Sequence, residues 1–180
     1  MTVHPLIIVG TVDQNGEIDF APKHMAFPLG WKNHYGFVCT PNHKTYQNIK
    51  ETGEFTVTFP SPEQVVLTSM TASPRCEDNT KPVLSNLSKI EARKVNGFFI
   101  EDGYLFLECK LLKIIDGFGD NSLILGEIVA ADAKRGIMKL PSVDENESIY
   151  LNPQLVYISP GRYAVIKESH AFPFPENFKK

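Results

Sequence analysis

Cysteine is scarce in this 180-residue chain: there are three, an odd number, which cannot close into a complete disulfide set. Cys39, Cys76 and Cys109 form no Cys-x-x-Cys pair. That argues against a disulfide scaffold and against a structural zinc site. All three read as buried small apolar residues. Cys109 illustrates this, lying on the alternating run Leu105, Leu107, Cys109, Leu111. The five histidines are dispersed, with no His-x-x-x-His or His-Glu-x-x-His spacing, so no metal ligand set is expected. There is no Gly-x-Gly-x-x-Gly loop, no Gly-x-Ser-x-Gly elbow and no carboxylate pairing of the glycosidase kind. A basic excess is also missing, since 18 Lys+Arg stand against 21 Asp+Glu for a net charge of -3. A general nucleic-acid binder needs a basic face and is excluded, whereas one local anion site is compatible. No apolar run approaches the ~18 residues of a membrane span, so no membrane is expected as partner. The start, Met1-Thr2-Val3-His4-Pro5, lacks the pattern of a signal peptide. A cytoplasmic protein is therefore expected.

What is present suits one globular domain, with 42% hydrophobic and 22% charged residues. Leu6 to Asp13 reads as a strand that turns on Asn15-Gly16, a strong hairpin signal. The return strand runs from Glu17 to Ala21 and is expected to end at Pro22, which cannot donate to a ladder. Tyr35 to Thr40 is a further strand. Thr45 to Thr52 reads as a short helix with Thr45 as candidate N-cap and Gly53 at its stop. Glu54 to Phe59 alternates, placing Phe55, Val57 and Phe59 on one face and Thr56 and Thr58 on the other. Ser61-Pro62-Glu63-Gln64 carries a capping-box start for a helix running to about Thr71. Between Ala72 and Asn86 the pattern weakens to loop and at most one short helix. Asp102-Gly103 predicts a hairpin between Phe98–Ile100 and the long strand that reaches Ile115. A loop over 116–121 and a strand from Ser122 to Asp132 follow. The acidic stretch 142–147 reads as a solvated loop or helix start. Strands joined by hairpins, with few helices, predict a mainly β antiparallel barrel or sandwich.

Two segments could carry chemistry. Pro41-Asn42-His43-Lys44-Thr45-Tyr46-Gln47-Asn48 joins a strand end to a helix start. Unpaired N–H groups and the helix dipole favour an anion there. Lys44, Thr45 and Asn48 add donors, so the segment reads either as a phosphate cradle or as a capped helix bearing an exposed lysine. Ala21-Pro22-Lys23-His24-Met25-Ala26-Phe27-Pro28 is proline-flanked and irregular. It reads either as a surface loop or as a segment whose backbone groups meet a flat heteroaromatic ring edge.

Four stretches resemble the flavin reductase-like family with the FMN-binding split barrel. They are the opening Pro5-Leu6-Ile7-Ile8-Val9-Gly10-Thr11-Val12-Asp13 with Phe20-Ala21-Pro22, the central Lys44-Thr45-Tyr46-Gln47-Asn48-Ile49, the late Gly119 to Val129, and Leu155-Val156-Tyr157 with Gly161-Arg162-Tyr163. The resemblance implies a six-stranded antiparallel Greek-key barrel over residues 1–163, with a tail at 164–180 that clasps a partner subunit, covers the flavin or hangs free. It implies a homodimer and a bound flavin, with FMN expected ahead of FAD. The flavin phosphate would lie against Lys44, Thr45 and Asn48, with His43 nearby. The ring system would run along Lys23, His24, Met25 and Ala26. No residue is assigned a catalytic role. NADH or NADPH is the implied electron donor, and a redox partner protein is compatible. One departure is that Ala164 follows Tyr163, where some flavin-reducing members carry a histidine. This keeps open a flavoredoxin-like electron carrier without its own nicotinamide site. A non-catalytic β-barrel binding module is the third reading.

Overall fold

A computed structural model describes residues 1–137 and 145–176, the side chains of 145 and 146 excepted. Its strands are β1 (Thr2–Pro5), β2 (Ile7–Val12), β3 (Ile18–Lys23), β4 (Ala26–Pro28), β5 (His34–Cys39), β6 (Glu54–Phe59), β7 (Lys89–Glu91), β8 (Phe98–Ile100), β9 (Leu105–Phe118), β10 (Asn121–Ala133), β11 (Gln154–Ser159) and β12 (Arg162–Ile166). The helices are α1 (Lys44–Thr52), α2 (Val65–Met70) and α3 (Glu145–Leu151). A curled antiparallel sheet has the order β3-β2-β6-β9-β10-β5-β4. Among the described residues no ladder joins β3 to β4, so the barrel stays split along that seam. It holds one strand more than the expected six, the extra one being the three-residue edge strand β4. β1, β11 and β12 form a separate sheet, and β7 pairs with β8.

The alternation of β6 explains the two packing layers. Phe55 and Val57 are fully buried in a core with Ile7, Val9, Phe37, Cys109 and Ile124, and Phe59 packs against it. The threonines of the opposite face are buried too, because the β7–β8 ribbon covers them. Thr56 Oγ1 donates to the Phe98 carbonyl at 2.6 Å, and Thr58 Oγ1 accepts from the Ile100 N–H. Their hydroxyls are thus satisfied inside the fold rather than by solvent. Ile8, Phe20, Leu87 and Ile100 complete this second layer. Glu108 anchors the same ribbon, since its buried Oε2 accepts the N–H groups of Arg93, Lys94 and Val95.

Several boundaries differ from the sequence reading for local reasons. β3 runs through Pro22 to Lys23, with Pro22 opposite Ile8 in the register, where the missing N–H is tolerated at the outer edge of the sheet. His43 rather than Thr45 is the N-cap of α1, and it makes no side-chain cap bond. Gly53 does close the helix, at φ 73 with its N–H on the Ile49 carbonyl, a left-handed conformation that glycine accepts without strain. The Asp102 turn forms, at φ 68, but its two flanks do not pair. β8 binds β7, while the Tyr104 N–H on the Phe59 carbonyl feeds β9 onto β6. The expected loop at 116–121 shrinks to Gly119 and Asp120, because β9 and β10 continue as one long ribbon. Cys39 and Cys109 are buried, but Cys76 is exposed in the loop after α2.

At the end of the chain, β12 continues beyond Tyr163 to Ile166, pairing throughout with β11. Phe172 and Phe174 are exposed and pack on each other at 4.7 Å between ring centroids. Phe178 lies outside the described residues, as do positions 142–144 of the acidic stretch. The rest of that stretch opens α3. Among the described residues no helix is long and apolar enough to cross a membrane.

Candidate functional site

Charged side chains converge beside β3, one of the two strands that border the split. β3 and the start of α1 form one wall of a cavity of about 490 Å³, and the chain following α2 forms the other. Lys23, Lys44, Arg75 and Lys81 all line it, together with one carboxylate, Asp19. A local positive excess of this kind stands out in a chain of net charge -3.

Each cation is held differently. Lys44, at the first position of α1, pairs with Asp13 Oδ2 at 3.1 Å. Arg75 donates from Nη2 to Asp19 Oδ1 at 2.9 Å and from Nη1 to the Asn79 carbonyl. The side chain of Lys81 is largely covered and donates to the carbonyls of Phe20 and Thr71 at 2.8 and 2.6 Å. Burial pushes its pKa down, opposed by Asp19. Lys23 is also buried and lies 3.5 Å from His43 Nδ1. Partial desolvation, with the Lys23 charge beside it, lowers the His43 pKa, and Asp19 opposes the shift. Thr45 is buried at the cavity wall.

Asn48 is placed elsewhere than expected. It faces the sheet, its amide donates to Thr11 Oγ1 at 3.0 Å, and it is not among the cavity's lining residues. The helical spacing accounts for this: Thr45, Asn48 and Ile49 share the buried stripe of α1. Its Oδ1 has no hydrogen-bond partner. Lys23, His24 and Met25 line a second cavity of about 170 Å³ with Cys39 and His43. The Met25 carbonyl is already engaged by the Val38 N–H, and Ala26 turns its side chain into the core. The His24 ring packs on Tyr157 at 4.3 Å between centroids. Burial, with His4 and Lys23 adding repulsion, lowers its pKa.

Sequence reasoning missed Asp19, Arg75 and Lys81. Arg75 and Lys81 sit in a stretch with no periodicity, and only the fold carries that stretch back to β3. The nearest signal was negative: a 15-residue span with weak pattern is where functional loops concentrate.

Asp13 links this site to stability. Its Oδ1 accepts the N–H groups of Asn15 and Glu17. The Glu17 N–H is the main cause holding its carboxyl below the usual range, with burial opposing and Lys44 helping. A depressed carboxylate stabilises fully above its unfolded value of about 4, and that contribution disappears as pH falls through the folded value. Asp13→Asn should therefore have a lower urea midpoint than the parent at about pH 7, with the gap narrowing as pH falls below about 4. A gap that stays constant from about pH 7 down through about pH 4 and below would contradict this role.

Comparison with known proteins bears on the same region. Solved structures with the same fold include the 2-nitrobenzoate 2-nitroreductase of Pseudomonas fluorescens, with TM-score 0.82 and 18% identity over 98% of this chain and 87% of that one. The flavoredoxin of Desulfovibrio vulgaris (Miyazaki F) gives TM-score 0.80 and 20% identity over 98% and 93%. The flavoredoxin of Methanosarcina acetivorans gives 0.78 and 18% over 97% and 90%. An uncharacterized protein of Methanothermobacter thermautotrophicus is 32% identical over 132 residues, which are 69% of this chain and 61% of that protein's length. The flavin reductase like domain matches residues 2–166, spanning the split barrel and both walls of the cation-lined cavity, and the chain accordingly belongs to the flavin reductase-like family, with the split-barrel fold.

Proposed function

We propose that the protein is an FMN-dependent oxidoreductase of the flavin reductase type that takes electrons from NADH or NADPH. The observation that carries the reading is a cavity against β3 whose lining includes four cations and one carboxylate. That donor set fits a phosphate monoester, which wants two or more charge-assisted donors. Lys44 and Arg75 would hold the phosphate, with N–H groups of the first turn of α1 behind it. Lys81 is committed to Phe20 and Thr71 and would act by fixing the wall. Lys23, buried beside the segment His24–Met25–Ala26, would balance negative charge at the ring. When bound, the flavin supplies the ring that takes up hydride from the reduced nicotinamide. FMN is proposed ahead of FAD, because its terminal phosphate monoester presents the anionic charge that these cations can meet. A homodimer is part of the proposal, supported by the exposed apolar residues Leu112, Phe118 and Val129 on the β9–β10 ribbon. A cytoplasmic setting is proposed from the three free thiols.

A second reading, an electron carrier of the flavoredoxin kind, is favoured by Ala164 following Tyr163 on β12. One preparation separates the two. The purified protein is expected to bind added FMN, seen in the visible spectrum, and to oxidise NADH or NADPH. Tight FMN binding with no oxidation of either donor moves the function to the carrier. Absence of FMN binding removes both and leaves a non-catalytic binding module.

A further inference from the structure

A carboxylate in the wall of an anion-binding cavity repels the ligand, yet Asp19 stands there and is buried. Its Oδ1 accepts from Arg75 Nη2 at 2.9 Å and lies 3.6 Å from Lys81 Nζ. Folding energy is a poor account of this arrangement, because the desolvation of a buried ion pair largely offsets its attraction. What the pair does fix is a direction. Arg75 comes from an irregular stretch, since residues 73–81 form neither helix nor strand. That stretch closes on itself through the Cys76 N–H on the Thr80 carbonyl. Within it Arg75 Nη1 donates to the Asn79 carbonyl at 2.7 Å, while Nη2 crosses to Asp19 on β3. A guanidinium carries its N–H donors in one rigid plane. Two acceptors, one on the loop and one on the barrel, therefore set that plane and leave the remaining donors for a ligand. Lys81 differs, because its ammonium is already spent on the carbonyls of Phe20 and Thr71.

We infer that Asp19 is a positioning residue for anion binding: it holds the Arg75 guanidinium at the cavity wall and thereby sets a preference for a flavin that carries a phosphate over one that does not. Donors ordered before the ligand arrives spare the cost of ordering them on binding. The repulsion from Asp19 is small beside this gain, because Arg75 and Lys81 already offset its charge. Naming the anion as the phosphate of FMN rests on the flavin reading above, whereas the action of Asp19 on Arg75 does not.

Repulsion alone and positioning predict opposite signs for the loss of this carboxylate. The test is titration of the full chain with FMN and with riboflavin, read by flavin fluorescence, for the parent, Asp19→Ala, Arg75→Ala and the double variant. Asp19→Ala is expected to bind FMN about tenfold more weakly than the parent, and riboflavin within about threefold of it. In the Arg75→Ala background the same substitution should leave FMN affinity unchanged or raise it, since only repulsion is left to remove. Tighter FMN binding by Asp19→Ala overturns the inference in favour of simple repulsion. Equal losses for FMN and riboflavin overturn it in favour of a purely structural role, as does an equal loss with and without Arg75. Arg75→Lys keeps the charge and Asp19 but lacks the planar fork, so it should also lose about tenfold for FMN. This variant decides the matter if Asp19→Ala does not fold, and parent-like FMN affinity in it overturns the inference. Inorganic phosphate, read by the rise it causes in melting temperature, separates the two proposals. Protection of the parent by phosphate that Asp19→Ala loses, with no binding of FMN, would sink the flavin reading and leave the role of Asp19 standing. FMN binding indifferent to Asp19→Ala would do the reverse.

Discussion

Replacing Lys44 and Arg75 together by alanine is expected to weaken FMN binding by about two to four orders of magnitude, at about 1.5–3 kcal/mol for each charge-assisted bond lost. The choice of pair follows from what each cation already does. Lys81 serves two backbone carbonyls and Asp19, so its loss would disturb β3 and the end of α2 as well as any ligand. Lys44 is partly exposed, and among the described residues it pairs with Asp13. Arg75 is held by Asp19 and the Asn79 carbonyl, and Lys81 remains to face Asp19 when the guanidinium is gone. The double variant should therefore fold, with far-UV dichroism unchanged. Lys50→Ala is the control, because that lysine is exposed in the last turn of α1 and outside the cavity. Quenching of FMN fluorescence on titration reads the affinities. A double variant within threefold of the parent would place the phosphate elsewhere. Affinity should also fall as salt rises, because the attraction is between charges in a cavity open to solvent.

The sequence made the barrel readable where side-chain period and chain direction agree. Phe55, Val57 and Phe59 alternate, β6 forms over the expected residues, and Gly53 stops α1 where a left-handed residue was required. Pairing was harder to read than existence. The Asp102 turn is real, yet nothing local to it says that β8 will seek β7 while β9 seeks β6; that choice depends on strands distant in sequence. The site divides in the same way. Lys44 and Thr45 were visible because a strand end followed by a helix start is a local arrangement that favours anions. Asn48 has the right chemistry on the wrong stripe, and helical spacing from Thr45 would have shown it facing inward. Asp19 lies on a hairpin strand with nothing local to single it out, and in the fold it is buried beside Arg75 and Lys81, which come from 56 and 62 residues further along.

Gly10→Ala is expected to give the largest loss of stability, about 3 kcal/mol or more, or roughly 6–12 °C in melting temperature for a domain of this size. The glycine stands in the middle of β2, opposite Phe20 on β3 and Thr56 on β6. Its conformation is ordinary for a strand, so the argument rests on space. An added Cβ would meet the Phe98 carbonyl oxygen at 2.5 Å and Phe20 Cε1 at 2.8 Å, with Thr56 Oγ1 also in the way. Phe20 could shift a ring. The carbonyl cannot, because it accepts the Thr56 hydroxyl and belongs to the β8 backbone, which is tied to β7. Relief therefore requires β8 to lift from β2, exposing the layer of Ile8, Phe20 and Ile100. The consequence reaches the site, since the Phe20 carbonyl anchors Lys81. Thermal melts of the parent, Gly10→Ala and the double variant Gly10→Ala/Phe20→Leu decide the matter. The second substitution clears the ring and leaves the carbonyl, so it should restore little. A melting temperature within about 2 °C of the parent for Gly10→Ala, or full recovery in the double variant, would show that the β8 backbone is not the barrier.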